Sequence, residues 1–261
     1  MKIPDKIFGI DTTEAYEKVM KKLENKEIEE PKIIPAPLDA KDSANYILLP
    51  QTKDHPDLYI AKRRLSIKDL NQPSAQLQDN NQGYIGDIKW KQAIDLNTSL
   101  GNFTLPPVYF VEFLNLLRSG RAFDGKGSIL SKATLDQVLN EILAVRDPYR
   151  AEWLDAKFGN NTIRHHKFDS NGKLTEVTEP LEECLMQDKT PGINLDYWLR
   201  NPTPQGLPRN DTPDGDLYYW HPQNNAVALF GAFSDRAGLN CYRDPQGSYL
   251  ALGVRGAKIK V

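Results

Sequence analysis

The dipeptide Asn171-Gly172 constrains the fold of this chain most strongly, because it lies between two runs of alternating polar and apolar residues. Asn-Gly favours the two-residue turns that join antiparallel strands. Residues 161–179 are therefore predicted to form a β-hairpin. Hairpin-linked strands are typical of all-β and α+β folds rather than of alternating β-α units.

Two main helices are predicted in the middle of the chain. Residues 106–120 begin with proline, end with glycine and carry apolar residues at helical spacing. Residues 131–145 have the same spacing, with Ser131 or Thr134 as the N-cap. Shorter helices are predicted at residues 12–26 and 194–202.

Short strands and long loops account for most of the remaining sequence. Strands are predicted at residues 45–50 and 58–66, and again from Leu217 to the end. Residues 68–105 are rich in Asn, Gln, Asp and Gly, which predicts long loops with one or two short strands. Segregated helices and strands predict an α+β fold.

Composition and charge exclude several classes of function. The net charge of −2 gives no general attraction to nucleic acid or to an anionic membrane, so neither is predicted as a partner. No run approaches the roughly 18 apolar residues of a membrane span, and no secretory signal is visible. The two cysteines, Cys184 and Cys241, are predicted to be buried thiols, with a disulfide between them as the alternative.

Searches for catalytic and metal-binding patterns give no positive case for an enzyme or a cofactor. The sequence has no phosphate-binding loop, dinucleotide fingerprint, zinc-protease helix or nucleophile elbow. His165 and His166 are neighbours on a predicted strand and therefore point to opposite faces. Residues 211–216 are predicted as a solvated turn, with a Ca²⁺ site as the alternative. Residues 146–158, which alternate in charge, are predicted as a salt-bridged surface, with an acid–base site as the alternative.

The C-terminal segment shows an unusual alternation. Leu239, Cys241 and Arg243 fall on one face of an extended strand, and the residues between them fall on the other. The first face suits a protein core. The second face offers Gly238, Asn240, Tyr242 and Asp244, which share no physical character. This mixture is what has to be explained.

The tail "FGAFSDRAGLNCYRDPQGSYLALGVRGAKIKV" resembles the variable region of proteins diversified by retroelements, notably the archaeal ones. The closing "LGVRGAK" resembles the strand that ends their C-type-lectin fold, and "AVRDPYRAEWLDAKF" (144–158) resembles another segment of the archaeal proteins. The resemblance implies one C-type-lectin-like domain over residues 1–261. It further implies an N-terminal elaboration over about residues 1–105 and a variable ligand-binding region over residues 217–255.

In that family a reverse transcriptase miscopies adenines, so that Asn codons ending in C or T become hypervariable. Such codons reach Gly, Tyr, Phe, His, Asp and Leu, but not Trp. The resemblance therefore implies these variable positions: Tyr218, His221, Gly231, Phe233, Gly238, Tyr242, Asp244, Gly247, Tyr249 and Leu250. Asn240 is either an unaltered variable position or part of the framework. The framework implied is Trp220, Arg236, Leu239, Cys241, Arg243, Pro245, Leu252, Val254 and Arg255.

The function implied is binding, without catalysis or a cofactor, to a protein or glycan on another cell or virus. The implied location is a cell surface or a virion. Aromatic and small residues suit such a surface, because they give contact area at low entropic cost. One alternative is an oxidase of the formylglycine-generating type, although Cys184 lies 57 residues before Cys241 instead of beside it. Another alternative is an invariant lectin or virion structural protein.

Overall fold

The computed structural model describes residues 6–7, 10–11, 43–70, 74 and 76–260. These residues form a mixed α+β structure with four α-helices, as the segregated pattern predicted. The helices are α1 (Trp90–Ser99), α2 (Pro107–Ser119), α3 (Lys132–Leu143) and α4 (Leu195–Arg200). None of the helices in these ranges is both long and apolar enough to cross a membrane.

Fifteen short strands accompany the helices in the described residues. The strands are β1 (Lys6–Ile7), β2 (Ile10–Asp11), β3 (Tyr46–Leu49), β4 (Leu58–Ala61), β5 (Phe103–Thr104), β6 (Phe123–Asp124), β7 (Arg150–Gly159), β8 (Thr162–Phe168), β9 (Leu174–Pro180), β10 (Lys189–Ile193), β11 (Leu217–Trp220), β12 (Val227–Ala232), β13 (Ala237–Arg243), β14 (Leu252–Gly253) and β15 (Gly256–Ile259). Strands β1 and β2 form an antiparallel pair within a separate N-terminal unit, residues 1–34.

Local sequence signals fix the ends of the predicted helices. Helix α2 has proline at its first position, and it ends at Gly120, whose φ of 71° is left-handed. The Ser131 hydroxyl accepts a hydrogen bond from the Thr134 amide at the start of α3. Helix α4 is also confirmed, whereas the helix predicted at residues 12–26 lies outside the described residues.

Helix α1 corrects the prediction that residues 68–105 are loops with short strands. Its sequence is polar, and only Trp90, Ala93 and Asn97 are buried. The Trp90 indole Nε1 donates to the Leu154 carbonyl at 2.8 Å, which anchors the helix to β7. A tertiary contact therefore stabilises a helix whose own apolar pattern is too weak to reveal it.

The larger sheet contains the predicted hairpin and most of the tail. Its order is β10-β11-β13-β12-β7-β8-β9, and β14 adds to β7 in parallel. Strands β8 and β9 pair antiparallel across Asn171-Gly172, which confirms the hairpin. Strand β11 runs parallel to β13, while β12 pairs antiparallel with both β13 and β7.

The smaller sheet brings the C-terminal strand together with strands from residues 46–124. Its order is β5-β15-β4-β3-β6, so the C-terminal strand lies between two strands from the first 105 residues. Strand β4 is shorter than the predicted 58–66, because Ser66 caps a short 3₁₀ turn instead.

Apolar clusters cover the larger sheet on both faces where β7 and β12 meet. Phe230 and Leu154 join the main core, which also contains Phe110 of α2. Their strand neighbours Leu229 and Trp153 point the other way and join a second cluster. That second cluster does not include the residues of β11 and β13.

The prediction that residues 146–158 form a salt-bridged surface is wrong. This segment supplies β7, a central strand in which Arg150, Glu152 and Asp155 are buried. The Arg150 guanidinium donates to the carbonyls that end α3, at 2.9 Å for Asn140 and 2.6 Å for Ala144. The three buried charges are each satisfied within the fold: Arg150 by helix carbonyls, Glu152 by Arg255 and Asp155 by His166.

Candidate ligand-binding surface

A row of small residues crosses the larger sheet from β11 to the edge of the second cluster, to which Ala151 belongs. Tyr218 of β11 pairs with Gly238 of β13, which pairs with Gly231 of β12, which pairs with Ala151 of β7. Residues paired in this way point to the same face. Three neighbouring positions on this face, Gly238, Gly231 and Ala151, therefore have little or no side chain.

Five aromatic residues beside this row, here called the aromatic cluster, contact one another: Tyr149, Tyr218, Trp220, Phe233 and Tyr242. The Trp220 ring is central, with ring-centroid distances of 5.1 Å to Tyr218, 5.7 Å to Phe233 and 6.2 Å to Tyr242. Tyr149 stacks on Phe233 at 6.1 Å. All five are partly exposed, so the cluster presents ring surface to solvent.

The two glycines allow the rings to lie close to the backbone. A Cβ atom placed on Gly238 would lie 2.7 Å from Cβ of Tyr218 and 3.0 Å from Cζ3 of Trp220. A Cβ atom on Gly231 would lie 3.0 Å from Cβ of Ala151 and 3.4 Å from Cζ of Phe233. Neither glycine has left-handed backbone, so close approach, and not φ, explains the absence of a side chain.

Charged groups fix one edge of the aromatic cluster. The Arg236 guanidinium lies 4.1 Å above the Tyr218 ring and donates to the Pro191 carbonyl at 2.7 Å. The Tyr218 hydroxyl donates to the Asp235 carboxylate, and this hydrogen bond raises the pKa of Tyr218. Tyr218 is therefore held at its hydroxyl group and over one face of its ring.

A β-bulge alters the predicted alternation of the tail. Leu229 pairs with Asn240 and Val227 pairs with Arg243, so β13 has one residue more than β12 between these pairs. Leu239 and Cys241 enter the core as predicted. Arg243 does not share their face, because the bulge turns it outward, where it lies 4.3 Å from the Tyr249 ring.

The loop after β13 is held by residues 80–87. The Asp87 amide donates to the Tyr249 carbonyl at 2.9 Å, and the Asn80 side chain donates to the Leu250 carbonyl at 2.6 Å. The side chains of Tyr249 and Leu250 remain 42% and 71% exposed. This loop therefore presents side chains from a backbone that is fixed elsewhere.

Nine of the eleven predicted variable positions fall into two groups. Tyr218, Phe233 and Tyr242 meet in the aromatic cluster, and Gly231 and Gly238 lie beneath its rings. A second group is the loop: Asp244, Gly247, Tyr249 and Leu250. The remaining two have separate settings.

His221 and Asn240 are the two positions outside these groups. Nδ1 of His221 lies 2.8 Å from Oδ1 of Asp188. Asn240 is buried, and its Oδ1 accepts a hydrogen bond from the Tyr242 amide at 3.1 Å. Asn240 thereby shapes the bulge and presents no side chain to solvent.

Sequence reasoning missed two members of the aromatic cluster. Trp220 was assigned to the framework, although it lies two residues after Tyr218 on the same strand face. That spacing was a usable signal. Tyr149 precedes a strand that was predicted as surface, and nothing in its sequence context points to Phe233.

A buried ionic network supports the end of the tail. Nε of Arg255 lies 2.8 Å from Oε2 of Glu152, and its Nη2 lies 3.1 Å from Oε2 of Glu141. Its Nη1 donates to the Ala61 carbonyl at 2.9 Å. Burial lowers the pKa of Arg255, but the two carboxylates outweigh burial and raise it. Arg255 thus links strand β4, strand β7 and helix α3.

The two cysteines are buried and free, which confirms the prediction of buried thiols. The Tyr219 hydroxyl lies 3.5 Å from Sγ of Cys184. Burial raises the pKa of Cys184 to about 11 and raises the pKa of Cys241 well above its usual range. Across the described residues, no group of three or more His, Cys, Asp or Glu side chains could hold a metal ion.

Comparisons with protein-family models, curated proteins and solved structures gave no match for this chain.

Proposed function

We propose that this protein is a retroelement-diversified binding protein, in which a C-type-lectin-like framework presents a hypervariable surface to a protein or glycan ligand. The observation that carries the proposal is the aromatic cluster. Tyr218, Phe233 and Tyr242 were predicted from the alternation of the tail, the family resemblance and its codon logic, and their ring centroids lie 5.1 to 6.2 Å from that of Trp220. Partly exposed aromatic side chains that meet in one place are typical of binding surfaces.

The separation of framework from surface supports the same proposal. Leu239 and Cys241 alternate with the outward positions of β13 and lie in the main core. Arg255 is buried in its ionic network, away from any exposed surface. The side chains of Tyr218 and Phe233 can therefore change while Leu239, Cys241 and Arg255 keep their buried positions.

The segment "LGVRGAK" supports the likeness to a C-type lectin. Leu252 and Val254 enter the second cluster, Arg255 enters the ionic network, and Ala257 pairs with Ile60 in the smaller sheet. One short segment therefore joins both sheets, as a closing strand of that fold would.

The burial of both cysteines argues against the oxidase alternative. Copper-thiolate or disulfide chemistry needs an accessible thiolate. Cys184 and Cys241 are buried, and their raised pKa values favour the protonated thiol at neutral pH.

Sequencing the DNA next to the gene tests the proposal. The expected finding is a reverse transcriptase gene and a near-copy of the segment encoding residues 217–255, with extra adenines at the codons of the variable positions. Absence of both would refute diversification. In that case a ligand screen would still separate an invariant lectin, which binds glycans, from a virion structural protein.

A further inference from the structure

Codon diversification can replace the neighbours of Trp220 but cannot produce tryptophan itself, a distinction that rests on the proposed function. Codons of the form NNC or NNT encode Tyr, Phe, Gly and Asp, but no codon of that form encodes tryptophan. Three rings around Trp220 would therefore differ between sibling proteins, while the central ring would stay the same.

The two buried glycines control the space under the central rings. The Cζ3 atom of Trp220 lies 3.0 Å from the place where a Cβ of Gly238 would stand. The nearest ring atom to Gly231 is Cζ of Phe233 at 3.4 Å, and Phe233 in turn contacts Trp220. A Cβ on Gly238 would also lie 2.7 Å from Cβ of Tyr218, so a side chain there must move the Trp220 ring or Tyr218. At Gly231 a Cβ alone would touch the Phe233 ring at ordinary contact distance, and only a residue larger than alanine would press on that ring.

We infer that Gly231 and Gly238 are positioning residues for Trp220 and Phe233. A change at either glycine alters the binding surface by moving an aromatic ring, without itself touching the ligand. A substitution at a buried position thereby changes the shape of the surface. The invariant Trp220 presents different edges of its ring in different sibling proteins.

Tryptophan fluorescence offers a direct test. The side chains of Trp90, Trp153 and Trp198 are 7%, 1% and 0% exposed, whereas Trp220 is partly exposed. Quenching by acrylamide in the folded protein therefore reports mainly on Trp220. The Trp220→Phe variant, which should lose most of the quenchable emission, verifies this assignment.

The Gly238→Ala variant should raise the Stern–Volmer constant and shift the emission to longer wavelength, because the displaced ring meets more solvent. The matched control is Gly247→Ala, also in the tail, where the added Cβ comes no closer to any atom than 3.3 Å, to the Asp244 carbonyl oxygen. It should leave both signals unchanged. A folded Gly238→Ala protein with wild-type quenching overturns the inference.

A second pair of variants covers the case in which Gly238→Ala fails to fold. Gly231→Val pushes against the Phe233 ring and should lower the melting temperature, and Phe233→Ala in the same chain should restore part of the loss. Absence of any rescue contradicts the inference. These readouts need no ligand, so they can fail while the proposed function stands, and they can succeed if the neighbouring DNA refutes diversification.

Discussion

Arg255 and Glu152 form an ion pair in which Nε and Oε2 are 2.8 Å apart and both side chains are 1% exposed. One residue lies in the closing segment of the chain and the other in the central strand β7. The pair therefore connects the two sheets that carry and support the aromatic cluster. Removing either partner would leave a buried charge without compensation.

The Arg255→Met variant should destabilise the protein strongly, by about 3–5 kcal/mol, because Glu152 would remain buried and unpaired. Urea denaturation of the wild type and the variant measures the free energy of unfolding. Arg243→Met is the control, since Arg243 is partly exposed and contacts the Tyr249 ring. A loss at Arg255 no larger than the loss at Arg243 would contradict the account of the framework.

The adjacent histidines of β8 should affect acid stability in opposite directions. Burial lowers the pKa of His165, which its hydrogen bond to Glu179 only partly offsets. His165 is therefore neutral in the folded protein and takes up a proton on unfolding once the pH falls below about 6.5, so its contribution to stability is lost with falling pH. The His165→Gln variant should lose less stability than the wild type between about pH 7 and pH 5.

His166 has the opposite sign. Its Nδ1 lies 2.7 Å from Oδ2 of Asp155, and this hydrogen bond raises the pKa of His166 by more than burial lowers it. Its stabilising effect is complete below the unfolded pKa and disappears as the pH rises through the folded pKa. His166→Gln should lose more stability than the wild type on acidification. Melting temperatures of the wild type and both variants between about pH 7 and pH 5 test the two predictions. Parallel pH dependence for the two variants would refute the opposite signs assigned to His165 and His166.

Both thiols should be unreactive in the folded protein. With pKa values raised by burial to about 11 for Cys184 and well above the usual range for Cys241, the thiolate is scarce at pH 8. A thiol reagent such as DTNB should modify neither cysteine until denaturant is added, and should then modify both. Rapid reaction of one cysteine in the native protein would revive the oxidase alternative.

The aromatic cluster should tolerate substitution better than the core behind it. A library with NNC and NNT codons at Tyr218, Phe233 and Tyr242 should consist mostly of folded members, scored by protease resistance on a display system. The control library places the same codons at Phe230, Leu239 and Cys241, which are buried. Most of its members should be cleaved, because large-to-small changes in a core cost about 2–5 kcal/mol. Equal survival of the two libraries would argue against a separate framework and surface.

The sequence predicted elements whose signals are local, and it failed where the cause is distant. Helix α2 was predictable from the proline at its start and from Gly120 after its end, and the β8–β9 hairpin from Asn171-Gly172. Helix α1 was missed because its main anchor, the hydrogen bond from Trp90 to Leu154, spans 64 residues. Local sequence patterns do not predict contacts between residues so far apart in the chain.

The same distinction explains the successes and failures at the site. Period-two alternation placed Leu239 and Cys241 in the core, but the bulge that reverses Arg243 depends on pairing with Val227 and Leu229. Glu152 appeared to be a surface charge because its partner, Arg255, is 103 residues away. Trp220 was assigned to the framework by codon logic, which states whether a residue can vary and not whether it lies at the surface.

Population sequencing of this gene gives the most direct test of the central claim. Sibling genes should differ mainly at the codons of Tyr218, Phe233, Tyr242 and the other variable positions, with Trp220 and Arg255 constant, and the changes should fall where a neighbouring near-copy has adenine. Differences spread evenly over the gene, or changes at Trp220 as frequent as those at Tyr218, would contradict a diversified surface on a fixed framework.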